Sequence, residues 1–310
     1  MAERATGQIQ DRIFNELPEL LRPDDLLVLN EAAVRPARLF AKRKSGGRVE
    51  VFLLEKTGGD EWQAMLKPGR RITAGEKLQL EDGATVEIIS WLGGGKFTLR
   101  LPDAEREMET LGHMPLPPYI ARPDDARDRV DYQTVFARSP TAAAAPTAGL
   151  HFTPELLSAL RARGIESAAV NLAVGLGTFQ PLPDAALSEI RLHQEHYTVP
   201  SGAAIALTNA RAAKRRLVAV GTTACRVIES QQRDFDEFRA GEFSTELFLK
   251  PGDKLRTTDA LLTNFHAPGT SLLCLLAAFL GDAFDWKALY AHALTGDYRF
   301  LSYGDAMLIL

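Results

Sequence analysis

The chain has 310 residues, 45% of them hydrophobic and 25% charged, and a formal net charge of −4. This composition excludes a disordered, collagen-like or coiled-coil chain, and the length suits one large domain or two smaller ones. The acidic balance argues against a general nucleic-acid binder, because such proteins are usually basic. The amino terminus lacks the apolar run of a signal peptide. The longest apolar run, 271–280, is about half of the roughly 20 residues that a membrane helix needs. We therefore expect a soluble, cytoplasmic protein.

The first part of the chain has a β pattern. A buried strand is predicted at Leu26–Leu29. Five further short runs are separated by turns rich in Gly, Asp and Lys; they are 49–54, 61–66, 77–80, 85–91 and 96–101. Short strands at roughly 8–12-residue spacing with turn residues between them are typical of a small barrel or sandwich. The sequence therefore predicts an inserted all-β, barrel-like domain over residues 39–103.

Helices and strands alternate in the remainder of the chain. Thr153 followed by Pro154 is typical of a helix start, and Gly164 ends the helix that follows. Later strands are predicted at 165–172, 217–220 and 259–263, and helices at 201–216, from 223, and at 272–280. This order predicts an α/β (α+β) main domain with a mixed sheet, made of residues 1–38 and 104–310.

Four segments carry residues that suit chemistry. Gly221 follows a buried strand and opens a helix, and backbone amides at such turns bind anions. Gly175 and Gly177 end another strand, where a ligand can approach the backbone, although a plain turn explains them equally well. His151 precedes a helix and His266 follows a strand; each suits proton transfer. Each is also explained as a structural histidine.

Other features weigh for or against a site. The aromatic carboxyl-terminal segment 298–307 is expected to pack on the body of the protein. Cys225 and Cys274 form no CxxC pair, so they are expected to be buried small apolar residues. His193 and His196 have the spacing for one helix face, but no third ligand accompanies them, so no metal is predicted.

Basic residues are clustered although the net charge is negative. The first cluster runs from Arg35 to Arg48, the second from Lys67 to Arg71, and the third from Arg211 to Arg216. Such runs are usually solvated faces, but local groups of this kind can also contact phosphates.

Several segments together resemble one family, the S-adenosylmethionine:tRNA ribosyltransferase-isomerases of queuosine biosynthesis. The resemblance covers almost the whole chain, in order. The matching segments are 36–39, 112–120, 131–135, 144–152, 174–179, 220–223, 263–266 and 298–307.

The resemblance implies an α/β domain with an inserted β-barrel. It also implies transfer and isomerisation of the ribosyl part of S-adenosylmethionine onto the aminomethyl group of a 7-deazaguanine base at the tRNA wobble position. The products are epoxyqueuosine-tRNA, adenine and methionine. The implied partners are S-adenosylmethionine and the tRNA anticodon arm. No metal or other cofactor is implied, and we expect a monomer.

The resemblance also suggests site residues. A base must remove a proton beside the sulfonium, and an acid must help adenine leave. The proton-handling candidates are His151, His266, Tyr303 and Asp305. The cosubstrate-binding candidates are Thr147, Gly175, Gly177, Thr178, Thr222, Thr223, Arg226, Asn264 and Arg299. The RNA-binding candidates are Arg38, Lys42, Arg43 and Lys44.

The chain departs from the family pattern at several positions. Ala32 and Ala33 stand where the family usually has Thr and Arg. Ala173 and Ile190 stand where it has histidines, and Lys250 stands where it has tyrosine. From the resemblance we also expect the family's opening segment to be missing. One alternative is therefore a paralogue that binds S-adenosylmethionine or RNA, or acts on another acceptor, without this turnover. An unrelated nucleotide-binding α/β enzyme, suggested by the Gly221 turn, is the other.

Overall fold

A computed structural model describes residues 1–175 and 181–310 of the chain. The chain divides into two compact units. Met1–Ala33 and Asp131–Leu310 form the first, called here the α/β unit. Val34–Val130 form the second, called here the barrel unit. The α/β and barrel fold class expected from the sequence is confirmed.

A mixed sheet of nine strands is the framework of the α/β unit over the described residues. In spatial order the strands are β15 (Gly241–Thr245), β13 (Glu195–Val199), β12 (Glu166–Leu172), β3 (Leu26–Asn30), β14 (Leu217–Val220), β16 (Ala260–Asn264), β17 (Ala306–Ile309), β1 (Ala2–Glu3) and β2 (Gln8–Ile9). Two further strands, β4 (Ala32–Val34) and β11 (Ser139–Ala142), pair with each other.

The four central strands, β12, β3, β14 and β16, run parallel. All residues of β3 are buried, because its apolar run is covered on both faces. Leu26 and Val28 belong to one core cluster, whereas Leu27 and Leu29 belong to another on the opposite face. The parallel strands therefore end together at one edge of the sheet, which we call the carboxyl edge.

Helices cover both faces of this sheet. Their bounds are α1 (Leu17–Leu20), α4 (Pro154–Ala162), α5 (Ser201–Ala212), α6 (Gly221–Asp234), α7 (Ser271–Leu280) and α8 (Trp286–Thr295). Short 3₁₀ helices span Phe14–Glu16, Thr147–His151 and Gly281–Ala283.

The helix termini follow from local sequence. The Thr153 hydroxyl accepts a hydrogen bond from the Leu156 amide at 3.2 Å, which is the expected amino-terminal cap of α4. Helix α5 ends at Ala212, earlier than the predicted residue 216, and Lys214 has a φ of +56°. Helix α6 begins at Gly221, two residues earlier than predicted.

The barrel unit contains a closed barrel of antiparallel strands. In spatial order they are β10 (Lys96–Arg100), β7 (Glu61–Lys67), β6 (Arg48–Gly58), β5 (Arg38–Arg43), β8 (Lys77–Gln79) and β9 (Thr85–Gly93). Five of these strands are predicted from the sequence, and β5 is missed. Its buried residues Leu39 and Ala41 alternate with polar or partly exposed neighbours, a strand pattern that the run of basic residues hides.

The barrel unit is larger than the predicted insertion, 39–103, because residues 34–38 and 104–130 group with it. Helix α2 (Ala104–Leu111) buries Ala104 and Met108. The backbones of Arg38 and His113 exchange two hydrogen bonds, at 3.3 and 2.8 Å. The chain leaves the unit near helix α3 (Asp128–Asp131). Residues 104–130 therefore form part of the barrel unit.

None of the helices within the described ranges has the length and apolar character that crossing a membrane requires.

Candidate active site

A small cavity of about 30 Å³ lies at the carboxyl edge of the sheet in the α/β unit. It is formed where β14 and β16 end and where the 3₁₀ helix Thr147–His151 begins. Its lining is mostly small or uncharged polar; the residues are Ala145, Pro146, Thr147, Ala148, Val174, Gly221, Thr222, Thr223, Thr263, Asn264, His266 and Leu272. Ligands of open α/β sheets bind at this edge.

Helix α6 supplies one wall of the cavity. It starts immediately after β14 because Gly221 adopts a φ of +89°, a conformation that other residues rarely take. This tight turn places Thr222 and Thr223 in the first turn of the helix and in the cavity lining. The amino-terminal amides of a helix have no intrahelical acceptors, so they suit a carboxylate or another anionic group.

The Thr223 hydroxyl has no hydrogen-bond partner among the residues that the structure describes, although Thr223 is only 8% exposed. An unpaired buried hydroxyl costs about 1–3 kcal/mol. Since Thr223 lines the cavity, a polar ligand atom there would satisfy this group.

Asn264, at the end of β16, connects three segments of the site. Its Oδ1 accepts a hydrogen bond from the Thr147 hydroxyl at 2.8 Å. Its Nδ2 lies 3.4 Å from His151 Nε2 and 3.5 Å from the Gly304 carbonyl oxygen. Asn264 therefore ties the 3₁₀ helix and the carboxyl-terminal segment to the edge of the sheet.

His151 ends the 3₁₀ helix and stacks on Phe14, with ring centroids 4.9 Å apart. Burial lowers the pKa of His151, while the charge of Asp305 and a hydrogen bond with the Gly304 backbone oppose this shift. A lowered pKa leaves the imidazole neutral at pH 7, so it can accept a proton. Nothing in the sequence signals the Phe14 contact.

His266 is more deeply buried than His151. Its Nε2 lies 2.9 Å from the Thr263 hydroxyl, and burial lowers its pKa to about 4. Its backbone amide donates to the Tyr290 hydroxyl at 2.7 Å, and that hydroxyl donates to the His266 carbonyl oxygen at 3.2 Å. This arrangement holds a neutral imidazole in a fixed position. Tyr290 lies on α8, and no motif in the sequence points to it.

The predicted carboxyl-terminal candidates form a compact turn beside this network. Asp305 Oδ2 accepts a hydrogen bond from the Arg299 amide at 2.7 Å, and the Arg299 side chain is exposed. Tyr303 is 42% exposed and packs edge-on against Tyr132. The segment packs on the body as expected, because Phe300 contacts Phe265 and β17 pairs with β16.

Arg226 and Gly175 are connected through Glu195, and neither is among the described residues that line the cavity. Arg226 lies one turn beyond Thr222 on α6, where it forms a buried ion pair with Glu195 and donates to the Leu247 carbonyl oxygen at 3.1 Å. The Gly175 amide donates to the same Glu195 at 3.3 Å. The candidates Gly177 and Thr178 lie outside the described residues.

The RNA-binding candidates lie on the barrel unit and differ in their partners. Arg38 forms an ion pair with Glu50 at 3.2 Å, and Arg43 forms one with Glu76 at 2.6 Å. Lys42 and Lys44 are exposed.

The third basic cluster is paired within the protein, at the amino edge of the sheet. Arg216 makes two hydrogen bonds to the fully buried Asp25, at 2.7 and 2.6 Å. Arg215 pairs with Glu166 at 2.6 Å, and Arg211 lies 3.8 Å from Asp259. Each arginine of this cluster therefore has an acidic partner within the protein, and contact of the cluster with phosphates stays a prediction.

The pair of histidines at 193 and 196 does not lie on a helix, since His196 belongs to strand β13. No group of three potential ligands that could hold a metal occurs within residues 1–175 and 181–310. Cys225 is buried, which raises its pKa to about 12, and Cys274 is partly buried.

A barrel unit and an α/β sheet with a neutral polar cavity at its carboxyl edge define an enzyme-like architecture. Comparison with known proteins identifies its family. The model of the queuosine biosynthesis protein family matches residues 1–309, and the chain belongs to this family.

Full-length relatives support the assignment. The chain is 44% identical over 311 residues to the S-adenosylmethionine:tRNA ribosyltransferase-isomerase of Trichlorobacter lovleyi, covering 99% of this chain and 91% of the relative. It is 45% identical over 332 residues to the enzyme of the same name from Solibacter usitatus, covering 100% and 92%. A crystal structure of S-adenosylmethionine tRNA ribosyltransferase from Thermotoga maritima aligns with a TM-score of 0.53 and 32% identity, covering 100% of this chain and 90% of that one.

Proposed function

We propose that this chain is an S-adenosylmethionine:tRNA ribosyltransferase-isomerase. It transfers and isomerises the ribosyl group of S-adenosylmethionine onto a 7-aminomethyl-7-deazaguanine base at the tRNA wobble position. Adenine and methionine leave, and epoxyqueuosine-tRNA is formed. The observation that carries this proposal is the similarity of nearly the whole chain to enzymes of that name.

The lining of the cavity suits the cationic part of the cosubstrate, although the cavity itself, about 30 Å³, holds only a small part of that molecule. S-adenosylmethionine carries a positive charge on sulfur. Among the described residues, the cavity lining contains threonines, an asparagine and a histidine but no arginine or lysine. Burial keeps His266 neutral at pH 7, and it lowers the pKa of the neighbouring His151 as well. Neither imidazole then repels the sulfonium.

We assign proton abstraction to His151. The sulfonium acidifies the adjacent carbon, and a neutral imidazole next to the cavity-lining Asn264 can take the proton. The charge of Asp305 acts to raise the pKa of His151, so Asp305 stabilises the imidazolium that forms. In the free enzyme Asn264 Nδ2 lies 3.4 Å from His151 Nε2, so this long contact opens when Nε2 takes the proton. His266, bonded to Thr263, has a positioning role at the cavity wall.

The cosubstrate has complementary groups at α6. The first-turn amides and the unpartnered Thr223 hydroxyl are assigned to its methionyl carboxylate. The tRNA anticodon arm is the other substrate. A monomeric state, a cytoplasmic location and the absence of a cofactor remain predictions.

Adenine release tests the function directly. The protein is incubated with S-adenosylmethionine and tRNA that carries the aminomethyl-deazaguanine base, and adenine is quantified by chromatography. Adenine and epoxyqueuosine-tRNA should appear in equal amounts. No release at an enzyme concentration comparable with that of the tRNA would overturn the proposal.

The inactive-paralogue alternative makes a different prediction. Ala33 and Ala173 are both partly buried, at β4 and just after β12. If these alanines abolish turnover, wild type should release no adenine, and the double variant Ala33→Arg with Ala173→His should restore adenine release. We expect wild-type turnover instead, since identity to the named enzymes extends over nearly the whole chain.

A further inference from the structure

The barrel has two ends of opposite charge. Because neighbouring strands are antiparallel, the β5–β6, β7–β8 and β9–β10 connections all lie at one end, and the β6–β7 and β8–β9 connections lie at the other. The first end carries Lys44, Arg70 and Arg71 in its connections, together with Glu76, whose charge is paired with that of Arg43. The connections at the second end carry Asp60, Glu81 and Asp82. We call these the basic end and the acidic end.

Exposed cations also occupy the strand residues nearest the basic end. Lys42 and Lys67 end β5 and β7, or lie next to their ends, and Lys96 begins β10. All three are exposed, and none has an ion-pair partner among the described residues. Arg100 shows the contrast at the other end of β10, where Glu61 and Glu87 flank it at 3.0 and 3.2 Å. The basic end therefore has positive charge that the protein itself does not neutralise.

Two large apolar side chains are exposed near the end of β9, on the hairpin that leads to Lys96. Trp91 is 68% exposed and Leu92 is 50% exposed. The pairing of β9 with β10 shifts register at Leu92, and such bulges redirect side chains. The Leu66 amide donates to the Gly95 carbonyl oxygen at 3.1 Å, which fixes the hairpin beside Lys67. The indole is thus held in solvent on a short, anchored hairpin.

An exposed tryptophan at the same end of the barrel as unpaired cations matches one kind of ligand chemistry. Phosphates are attracted by the lysines and arginines, and an unstacked base can cover the indole face. A duplex has no free base faces, whereas the loop of a tRNA arm does. We propose that the basic end of the barrel binds the single-stranded anticodon loop, with a base stacked on Trp91.

This inference rests on the proposed function, since it takes tRNA as the substrate. The test is Trp91→Ala, with Trp91→Phe as the conservative variant. Affinity is measured for an isolated anticodon stem-loop and for a fully paired duplex of equal length, and adenine release gives kcat and the KM for each substrate.

We expect Trp91→Ala to weaken stem-loop binding and to raise the KM for tRNA by roughly tenfold or more. Duplex affinity, the KM for S-adenosylmethionine and kcat should be unchanged, and Trp91→Phe should recover most of the loss. Unchanged stem-loop affinity in Trp91→Ala, or an equal loss for the duplex, would overturn the inference. Absence of adenine release by wild type would instead refute the proposed function, and stem-loop binding still tests the surface.

The charged residues have a matched control on one strand. Affinity for the stem-loop falls as salt rises, so log affinity against log salt has a negative slope. Lys96→Gln should make this slope less steep by about 0.7 for each phosphate that the variant no longer neutralises. Arg100→Gln, at the acidic end of the same strand, should leave that slope unchanged. Equal slopes for the two variants would contradict the assignment of the basic end.

Discussion

The two edges of the central sheet differ in how their polar groups are paired. At the amino edge, Arg216 and Asp25 form a closed ion pair that uses both carboxylate oxygens. At the carboxyl edge, Asn264, Thr223 and His266 present uncharged groups around a cavity, and the Thr223 hydroxyl is unpartnered. Charge density in the sequence therefore does not locate the site. An unpaired buried hydroxyl that also lines a cavity is a more direct sign.

The largest expected effect is loss of catalysis at the carboxyl edge. His151→Gln removes the assigned base and should reduce kcat for adenine release by roughly 10²–10⁴-fold. The control is His292→Gln, since His292 lies on α8 and is hydrogen-bonded to Asp11 at 2.8 Å. An equal fall in both variants would show that the loss is not specific to the site.

The amino edge should affect stability and not chemistry. Arg216→Gln leaves the fully buried Asp25 carboxylate without its partner. Breaking a buried pair in this way costs about 3–5 kcal/mol of the free energy of unfolding, measured by urea denaturation.

The kcat of the folded fraction of Arg216→Gln should match that of wild type. The double variant, Asp25→Asn with Arg216→Gln, should recover part of the loss because no charge is left unpaired. A large fall in the kcat of fully folded Arg216→Gln would contradict the conclusion that the amino edge affects stability and not catalysis.

Acid should lower the free energy of unfolding through His266, which lies at the carboxyl edge. Its folded-state pKa of about 4 lies below the ordinary histidine value of 6.5, so the unfolded chain binds the proton more readily. Stability is therefore lost as pH falls through the range between these two values. Between pH 7 and pH 5 this loss amounts to about 2 kcal/mol. The free energy of unfolding of wild type and of His266→Gln is measured in urea at pH 7 and at pH 5. Wild type should lose about 2 kcal/mol more than the variant between the two pH values. An equal loss in both proteins would contradict the buried neutral imidazole.

The smallest expected effect concerns one hydroxyl. Thr223→Val keeps the side-chain shape and removes the unpartnered group, so it should raise the KM for S-adenosylmethionine by about fivefold to tenfold, equivalent to one hydrogen bond, without loss of stability. Thr257→Val is the control, because the Thr257 hydroxyl is also buried and unpartnered but does not line the cavity. If the two variants have the same KM, Thr223 does not bind the cosubstrate.

Much of the fold could be predicted from local patterns. The apolar run at β3, the Thr153 cap of α4 and the Gly221 turn are local features, and each appears in the structure. Strand β5 escapes prediction because its alternation has cationic outward residues. The boundaries of the barrel unit depend on backbone pairing of Arg38 with His113, which no local pattern reveals.

The site is harder to predict than the fold. Thr147, Asn264 and His266 are candidates from the sequence, and the structure brings them to one cavity. Phe14 stacks on His151 although the two residues are more than a hundred positions apart in the sequence. Tyr290, which holds the backbone of His266, lies on a separate helix. Internal pairing of Arg215 and Arg216 depends on acidic residues far away in the chain, so sequence clustering overstates their availability.

The position of β3 has a consequence for synthesis on the ribosome. Its two neighbours, β12 and β14, begin at residues 166 and 217, whereas every strand pairing of the barrel is complete by residue 100. At ordinary elongation rates the barrel strands emerge on the order of ten seconds before either partner of β3 is made. During that interval β3, four of whose five residues are apolar, has neither of its partner strands. Ribosome-bound chains halted before residue 166 should therefore recruit a hydrophobic-segment chaperone at β3, and chains halted after residue 220 should release it.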